Sequence, residues 1–182
     1  MMLTHKGTQT IRTERLILRR FRMEDAQAMF DNWASDDQVT KYLTWPTHTT
    51  LDQTEWVLRE WIGSYDRDDF YLWAIEFEGQ AIGSISVVDM NHNAEKAHIG
   101  YCIGRKWWRK GMMSETLKAV MDYLFDEVGV NRCEACFDPR NPNSGRVMAK
   151  CGMRYEGTLR QAGRNNQGIC DECFYSLLKS ER

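Results

Sequence analysis

The residues from Trp107 to Glu115, Trp-Trp-Arg-Lys-Gly-Met-Met-Ser-Glu, carry the strongest local signal for chemistry in the chain. A turn that feeds a helix presents unpaired backbone N–H groups and the positive end of the helix dipole, and anions bind there. Gly111 lets the backbone come close to a phosphate oxygen, and Arg109 and Lys110 add positive charge. The same residues also suit an ordinary strand-to-helix turn with a solvated basic face, because one glycine is not a phosphate loop. Neither Gly-x-x-x-x-Gly-Lys-Ser/Thr nor Gly-x-Gly-x-x-Gly occurs, so nucleotide hydrolysis and dinucleotide binding have no support.

His98 is the second candidate. An imidazole, with a reference pKa of about 6.5, can accept a proton near neutrality. On a strand it shares a face with Gly100 and Cys102, small neighbours that leave room for a substrate. A surface or hydrogen-bonded structural histidine fits the same sequence, and Asp89, Glu95 or water are alternative proton acceptors. Asn141 and Ser144 sit where a proline-containing loop enters a short helix, and a serine there serves as an N-cap. Cys133-x-x-Cys136 and Cys170-x-x-Cys173 imitate a four-thiolate zinc site. Both pairs lie in strand-like runs, however, where residues three apart point to opposite faces. They read as structural thiols, and no metal is expected.

These residues need a scaffold. Residues 15–21 read as an opening strand, and 25–33 and 51–65 as helices joined by an aromatic loop at 42–46. Strands follow at 70–76, 80–89 and 94–103, the first two turning at Gly79. Leu117, Val120, Met121, Leu124, Phe125 and Val128 then form one helical stripe, beginning at Ser114 or a neighbour and stopping at Gly129. A strand at 132–137, a short helix at 144–151 and strands at 155–163 and 169–178 complete an α/β order with a mixed sheet and helices on both faces.

The chain has 182 residues, 24 Lys+Arg against 26 Asp+Glu, and no internal repeat, so it reads as one domain over residues 10–182 behind a tail at 1–9. The mildly acidic balance gives no support to a nucleic-acid partner. No apolar run is long enough to span a bilayer and no export signal precedes the domain, so a cytoplasmic location is expected, with reduced thiols. Of the aromatics, most will be core.

The order of these segments resembles the GNAT superfamily of acetyltransferases, and more closely its Rim-type branch, which acts on protein N-terminal amines. The resemblance rests on residues 13–19, Ile99–Gly100–Tyr101, residues 108–113 against Gln/Arg-x-x-Gly-x-Gly/Ala, residues 141–144 against Asn-x-x-Ser, Glu156–Gly157, and Asp171 with residues 175–178. Trp108 and Met113 depart from the general loop, and His98 stands where many Rim-type relatives have Glu. The likeness implies a single α/β (α+β) domain with a mixed, mostly antiparallel central sheet. It implies acetyl-CoA as co-substrate and transfer to a primary amine, of a protein N-terminus or a small molecule, by direct attack in a ternary complex. Backbone N–H groups from Arg109, Lys110, Gly111, Met112, Met113 and Ser114 would hold the pyrophosphate, and Cys102 and Ile103 would pair with the pantetheine. Asn141 would bond that arm, and Ser144 would protonate the leaving thiolate. Trp33, Tyr42, Trp45 and Trp73 would wall the acceptor pocket, where an aromatic face can hold an ammonium. A catalytically silent acyl-CoA-binding module is the alternative, supported by the missing carboxylate at His98. The acceptor's identity and a homodimeric state stay open.

Overall fold

Strand burial decides the architecture. In Leu72–Phe77 both parities are buried, Trp73 and Ile75 on one side and Leu72 and Ala74 on the other, so the sheet must be covered on both faces. The computed structural model describes residues 3–182 and shows that cover. Its strands are β1 (Ile11–Arg12), β2 (Ile17–Arg19), β3 (Leu72–Phe77), β4 (Gln80–Asn91), β5 (Lys96–Ile103), β6 (Arg132–Phe137), β7 (Arg154–Asn165) and β8 (Gly168–Leu178). They form one sheet in the order β1-β2-β3-β4-β5-β6-β8-β7.

The helices are α1 (Ala26–Met29), extended by a π turn at Phe30–Ala34, then α2 (Asp37–Thr40), α3 (Leu51–Gly63), α4 (Met112–Tyr123) and α5 (Pro142–Lys150). Helices α4 and α5 cover one face, where Leu117, Val120, Met121, Leu124, Phe125 and Val128 form the expected buried stripe. Helices α1 and α3 cover the other, bringing Met29, Trp33 and Leu58 against Ala74, Ala81 and Cys102. Gly129 ends the α4 run in a left-handed conformation, φ 87°. Among the described residues no helix is long and apolar enough to cross a membrane.

All neighbouring strands pair antiparallel except β5 and β6, which α4 connects as a parallel crossover. Their pairing covers only Lys96↔Arg132, Ala97↔Cys133 and His98↔Glu134. Beyond His98 the two strands part.

Several boundaries differ from the sequence reading. Helix α4 begins at Met112, because Gly111 rather than Ser114 caps it. Helix α5 begins at Pro142 with Asn141 as N-cap, so Ser144 lies inside the first turn and caps nothing. Strand β1 and helix α2, too short for a periodic signal, were not expected. Residues 3–9 are no tail: Thr4 N–H donates to Val128 O at 2.9 Å, Tyr123 Oη to Gly7 O at 2.8 Å and Trp73 Nε1 to Gln9 O at 2.7 Å. Met1 and Met2 lie outside the described residues.

Thr8 shows what that segment does. Its buried hydroxyl donates to Phe70 O at 3.0 Å and accepts from Leu72 N–H at 2.9 Å, so it ends a strand edge that would otherwise be unsatisfied. Thr8→Val keeps the shape and removes both bonds, which should cost about 1–3 kcal/mol in urea unfolding. Parent-like stability would mean the segment does not dock.

Candidate active site

The turn between β5 and α4 is built from backbone, with charges supplied from elsewhere. Gly111 has φ 77° and Arg109, a non-glycine, φ 61°. The left-handed Gly111 opens α4, so the N–H groups of its first turn, Met112, Met113 and Ser114, lack intrahelical acceptors. The side chains of Met112 and Met113 are buried in the core, which explains why neither departure from the family pattern at Met113 nor the bulk of Met112 closes the turn. A Cβ on Gly111 would stand 3.5 Å from Arg15 Nη2 and 3.7 Å from Lys150 Nζ. Two cations from β2's approach and the end of α5 therefore flank the glycine, and neither was singled out in the sequence.

Arg15 is fixed there by Glu115. Its Nε donates to Glu115 Oε2 at 2.7 Å, its Nη1 to Lys110 O at 3.0 Å, and Glu115 Oε1 accepts from Thr13 Oγ1 at 2.6 Å. Burial would raise the Glu115 carboxyl, but the bonds from Thr13 and Arg15 outweigh it and hold it below the ordinary range. Lys150 has no carboxylate partner among the described residues. Backbone donors at a helix start with two fixed or available cations suit a diphosphate, and this is the observation by which the site fits coenzyme A.

The gap between β5 and β6 leaves strand-edge backbone groups that an extended arm could pair with. Gly104 N–H donates to Ile82 O at 2.9 Å, which sets the alternation of the β4–β5 ladder. Two residues along, Cys102 and Ser84 form the next bonded pair, so the backbone of Cys102 is spent on β4 and not on the slot. Its buried thiol lies 3.3 Å from Ser84 Oγ. Tyr101 and Ile103 instead turn their backbone groups toward β6. Ile103 O takes the Trp108 indole N–H at 2.8 Å, leaving the Ile103 N–H for a ligand. On the α5 side, Asn141 Nδ2 donates to Ser144 Oγ at 3.1 Å, and Tyr101 Oη to Ser144 O at 3.0 Å. A serine hydroxyl that accepts one bond still has its proton to give.

His98 stands at the last paired position before the gap. The β-bulge nearby falls on β4, between Val87 and Asp89, so the parity of β5 holds and His98, Gly100 and Cys102 share the face opposite Ser144's helix. The expected room beside Gly100 is absent, since a Cβ there would lie 3.0 Å from Val88 Cγ1. What sequence reasoning missed is Glu134: its Oε1 lies 3.3 Å from His98 Nδ1. Burial works to raise the Glu134 carboxyl, but Lys96, then Arg132 and His98, hold it below the ordinary range. A carboxylate only accepts, so Nδ1 carries the proton and Nε2 is the basic nitrogen. Nε2 faces Cys136 Sγ at 3.6 Å, and the ring packs edge-on against Phe174. Burial and the negative charge of Glu172 push the Cys136 thiol up to about 12, so it stays protonated, with its one proton facing both Nε2 and the Glu172 carboxylate.

The aromatic wall is smaller than expected. Trp73 is fully buried on the α4 side of the sheet, opposite His98, and Trp33 is fully buried beneath α1 with its indole N–H unpartnered. Neither lines an open pocket; strand parity and the core stripe claim them. Tyr42 is reached by its own neighbours, with Lys41 Nζ 5.3 Å and Arg140 Cζ 5.8 Å from its ring centre, so that cation–π position is taken. Trp45 belongs to a loop fastened by the β7–β8 turn: Asn166 Nδ2 donates to both Thr40 O and Trp45 O at 2.8 Å. Cys133 packs into the α4-side core while Cys136 faces His98, as alternate faces require, and all six cysteines are free thiols. Among the described residues no three His, Cys, Asp or Glu side chains are grouped to hold a metal.

If the diphosphate rests on Gly111, Gly111→Asp should abolish acetyl-CoA binding, because it adds a like charge to a left-handed position that disfavours any side chain. Lys150→Ala should weaken binding by about tenfold, the loss of one charge-assisted contact, and the loss should shrink with added salt. Calorimetry showing parent affinity in Gly111→Asp would move the site elsewhere.

Comparison with known proteins agrees with this geometry. A family model described as an acetyltransferase (GNAT) domain matches residues 15–154. The uncharacterized N-acetyltransferase p20 of Bacillus licheniformis is 30% identical, over 95% of this chain and 98% of its own. The [ribosomal protein uS5]-alanine N-acetyltransferase of Escherichia coli is 27% identical, over 80% of this chain and 78% of its own. A crystal structure of a GNAT-family acetyltransferase from Bacillus anthracis superposes with a TM-score of 0.84 at 28% identity, covering 95% of this chain and all of that one. The parted strands, the glycine-capped turn and these likenesses lead to one assignment: the chain belongs to the GNAT acetyltransferase family, as an N-acetyltransferase of Rim-type kinship that uses acetyl-CoA.

Proposed function

We propose that this N-acetyltransferase passes the acetyl group directly to a primary amine within a ternary complex, with His98 as base and Ser144 as acid. The acceptor is a small-molecule amine or a protein N-terminus, the latter in keeping with the E. coli relative. The observation that carries the reading is the Glu134–His98 pair at the point where β5 and β6 part. Glu134 accepts from Nδ1, which in the neutral ring leaves Nε2 to take a proton on the acceptor side of the sheet. Acetyl-CoA supplies an activated thioester when bound along the gap, held by the first turn of α4, Arg15, Lys150, Ile103 and Asn141.

Two protons must leave the nitrogen of an incoming ammonium. His98 Nε2 takes the first, and the neutral amine then has a lone pair for attack. Ser144, on the opposite face of the sheet, hands its proton to the departing sulfur and is reprotonated from the new amide nitrogen or solvent. Cys136 is not needed as a nucleophile, and its protonated state disfavours a covalent acyl-enzyme route. The silent binding module loses its support, because the carboxylate missing at position 98 is provided by Glu134 across the ladder.

The test is CoA release over a panel of amines, with mass spectrometry of the products. His98→Gln should lower kcat by about 10²-fold or more, within the range for loss of a general base, while acetyl-CoA affinity stays near parental. Ser144→Ala should behave alike and, since Ser144 does not cap α5, keep near-parental stability. Parent-like kcat in His98→Gln at every pH tested would remove the imidazole from the mechanism.

A further inference from the structure

The β7–β8 hairpin loses register beside the acceptor face. Leu159 pairs with Glu172 and Gly163 with Cys170, so residues 160–162 stand against Asp171 alone. Gln161, within this break, takes the left-handed φ of 51°, and its N–H donates to Asp171 Oδ1 at 2.8 Å. Breaks of this kind re-aim side chains. Here the side chain is Glu172. A Cβ on Gly163 would lie 2.2 Å from Glu172 Oε1 and 2.7 Å from its Cδ, so the carboxylate lies over the bare backbone of Gly163 and a side chain there would displace it.

Glu172 has the parity of Phe174, whose partner across the ladder is Cys136. Its carboxylate therefore belongs to the face of His98 and reaches the Cys136 thiol that bonds the imidazole. Of the other carboxylates around this face, Asp89, opposite His98 on β4, is exposed to solvent, and three are spent. Glu134 holds Lys96, Arg132 and His98; Asp138 holds Arg140 and Asn165; Glu156 holds Arg132 and Ser176. Glu172 has no Lys or Arg partner among the described residues. A partly buried carboxylate beside a protonated thiol, with no cation of the chain paired to it, is a site for a small cation.

We infer that Glu172, laid over Gly163 by the break in the β7–β8 ladder, docks the acceptor amine as its ammonium ion beside His98. This rests on the amine transfer proposed above and adds the charge state in which the acceptor is recognised. The ammonium keeps all its protons at this step; its first proton then passes to His98 Nε2. A purely structural Glu172 would not distinguish charged from uncharged acceptors, and that difference is the readout.

The experiment is an NMR titration of the full chain loaded with CoA, using butylamine, which is an ammonium at neutral pH, and its uncharged isostere O-propylhydroxylamine. The parent should bind butylammonium at least about tenfold more tightly than the isostere, as one charge-assisted bond provides. Glu172→Gln should abolish that preference without changing acetyl-CoA affinity. Gly163→Ala, which must displace the carboxylate, should do the same, and the double variant should add nothing further. No preference in the parent, or a preference that survives Glu172→Gln, overturns the assignment. CoA release that still depends on His98 in that case removes Glu172 alone, whereas no release with any amine removes the transfer reading itself.

Discussion

The parallel ladder between β5 and β6 stops after His98↔Glu134, and the site follows from that stop. Backbone groups on a strand have to be bonded, so an interrupted ladder in mid-sheet leaves Tyr101 and Ile103 with N–H groups that only solvent or a ligand can use. The gap is held open by packing. Tyr101 is tied to α5 through Ser144 O, and Gly145 is pressed on Phe137 so closely that a Cβ would stand 2.5 Å from the ring. Closing the strands would require α5 to move off β6. An extended ligand arm can complete the ladder from one side, much as an added strand would.

The same geometry separates the two residues proposed to transfer protons. His98 and Ser144 lie on opposite faces of the sheet, His98 with Glu134 and Cys136 on the α1–α3 side and Ser144 on α5. A reacting group lodged in the gap can lose a proton on one side and gain one on the other without the two residues meeting. At the far end of the gap, Gly111 and the first turn of α4 present donors flanked by Arg15 and Lys150. The helix that closes the parallel crossover is thus also the proposed anion site, because its N-terminus falls at the end of β5.

The parts legible in the sequence were those set by local periodicity. The α4 stripe, the β3–β4 hairpin, the parity of β5 and the opposite facing of Cys133 and Cys136 all follow from spacings of 3.6 or 2 residues. Gly111 was legible as a turn, though its role as cap moved the helix start by two residues to Met112. What stayed hidden were partners brought by pairing. Glu134 meets His98 through a parallel register across 36 residues, and Lys150 meets Gly111 through helix packing. Trp33 and Trp73 misled because aromatic content cannot tell an open wall from a core; parity sends Trp73 to the far face. Cys102 misled by one residue, since only the phase of the β4–β5 ladder shows which backbone groups are already bonded.

That phase makes the central claim measurable at single amides. Hydrogen exchange of the chain with and without acetyl-CoA, followed by NMR, should show the ligand slowing exchange at Ile103 and at Met112, Met113 and Ser114. Cys102, already bonded to Ser84, should be slow in both states and change little. Protection at Ile103 with no change at Cys102 is the result predicted by an arm lying in the β5–β6 gap. Unchanged exchange at Ile103 with saturating acetyl-CoA would contradict it.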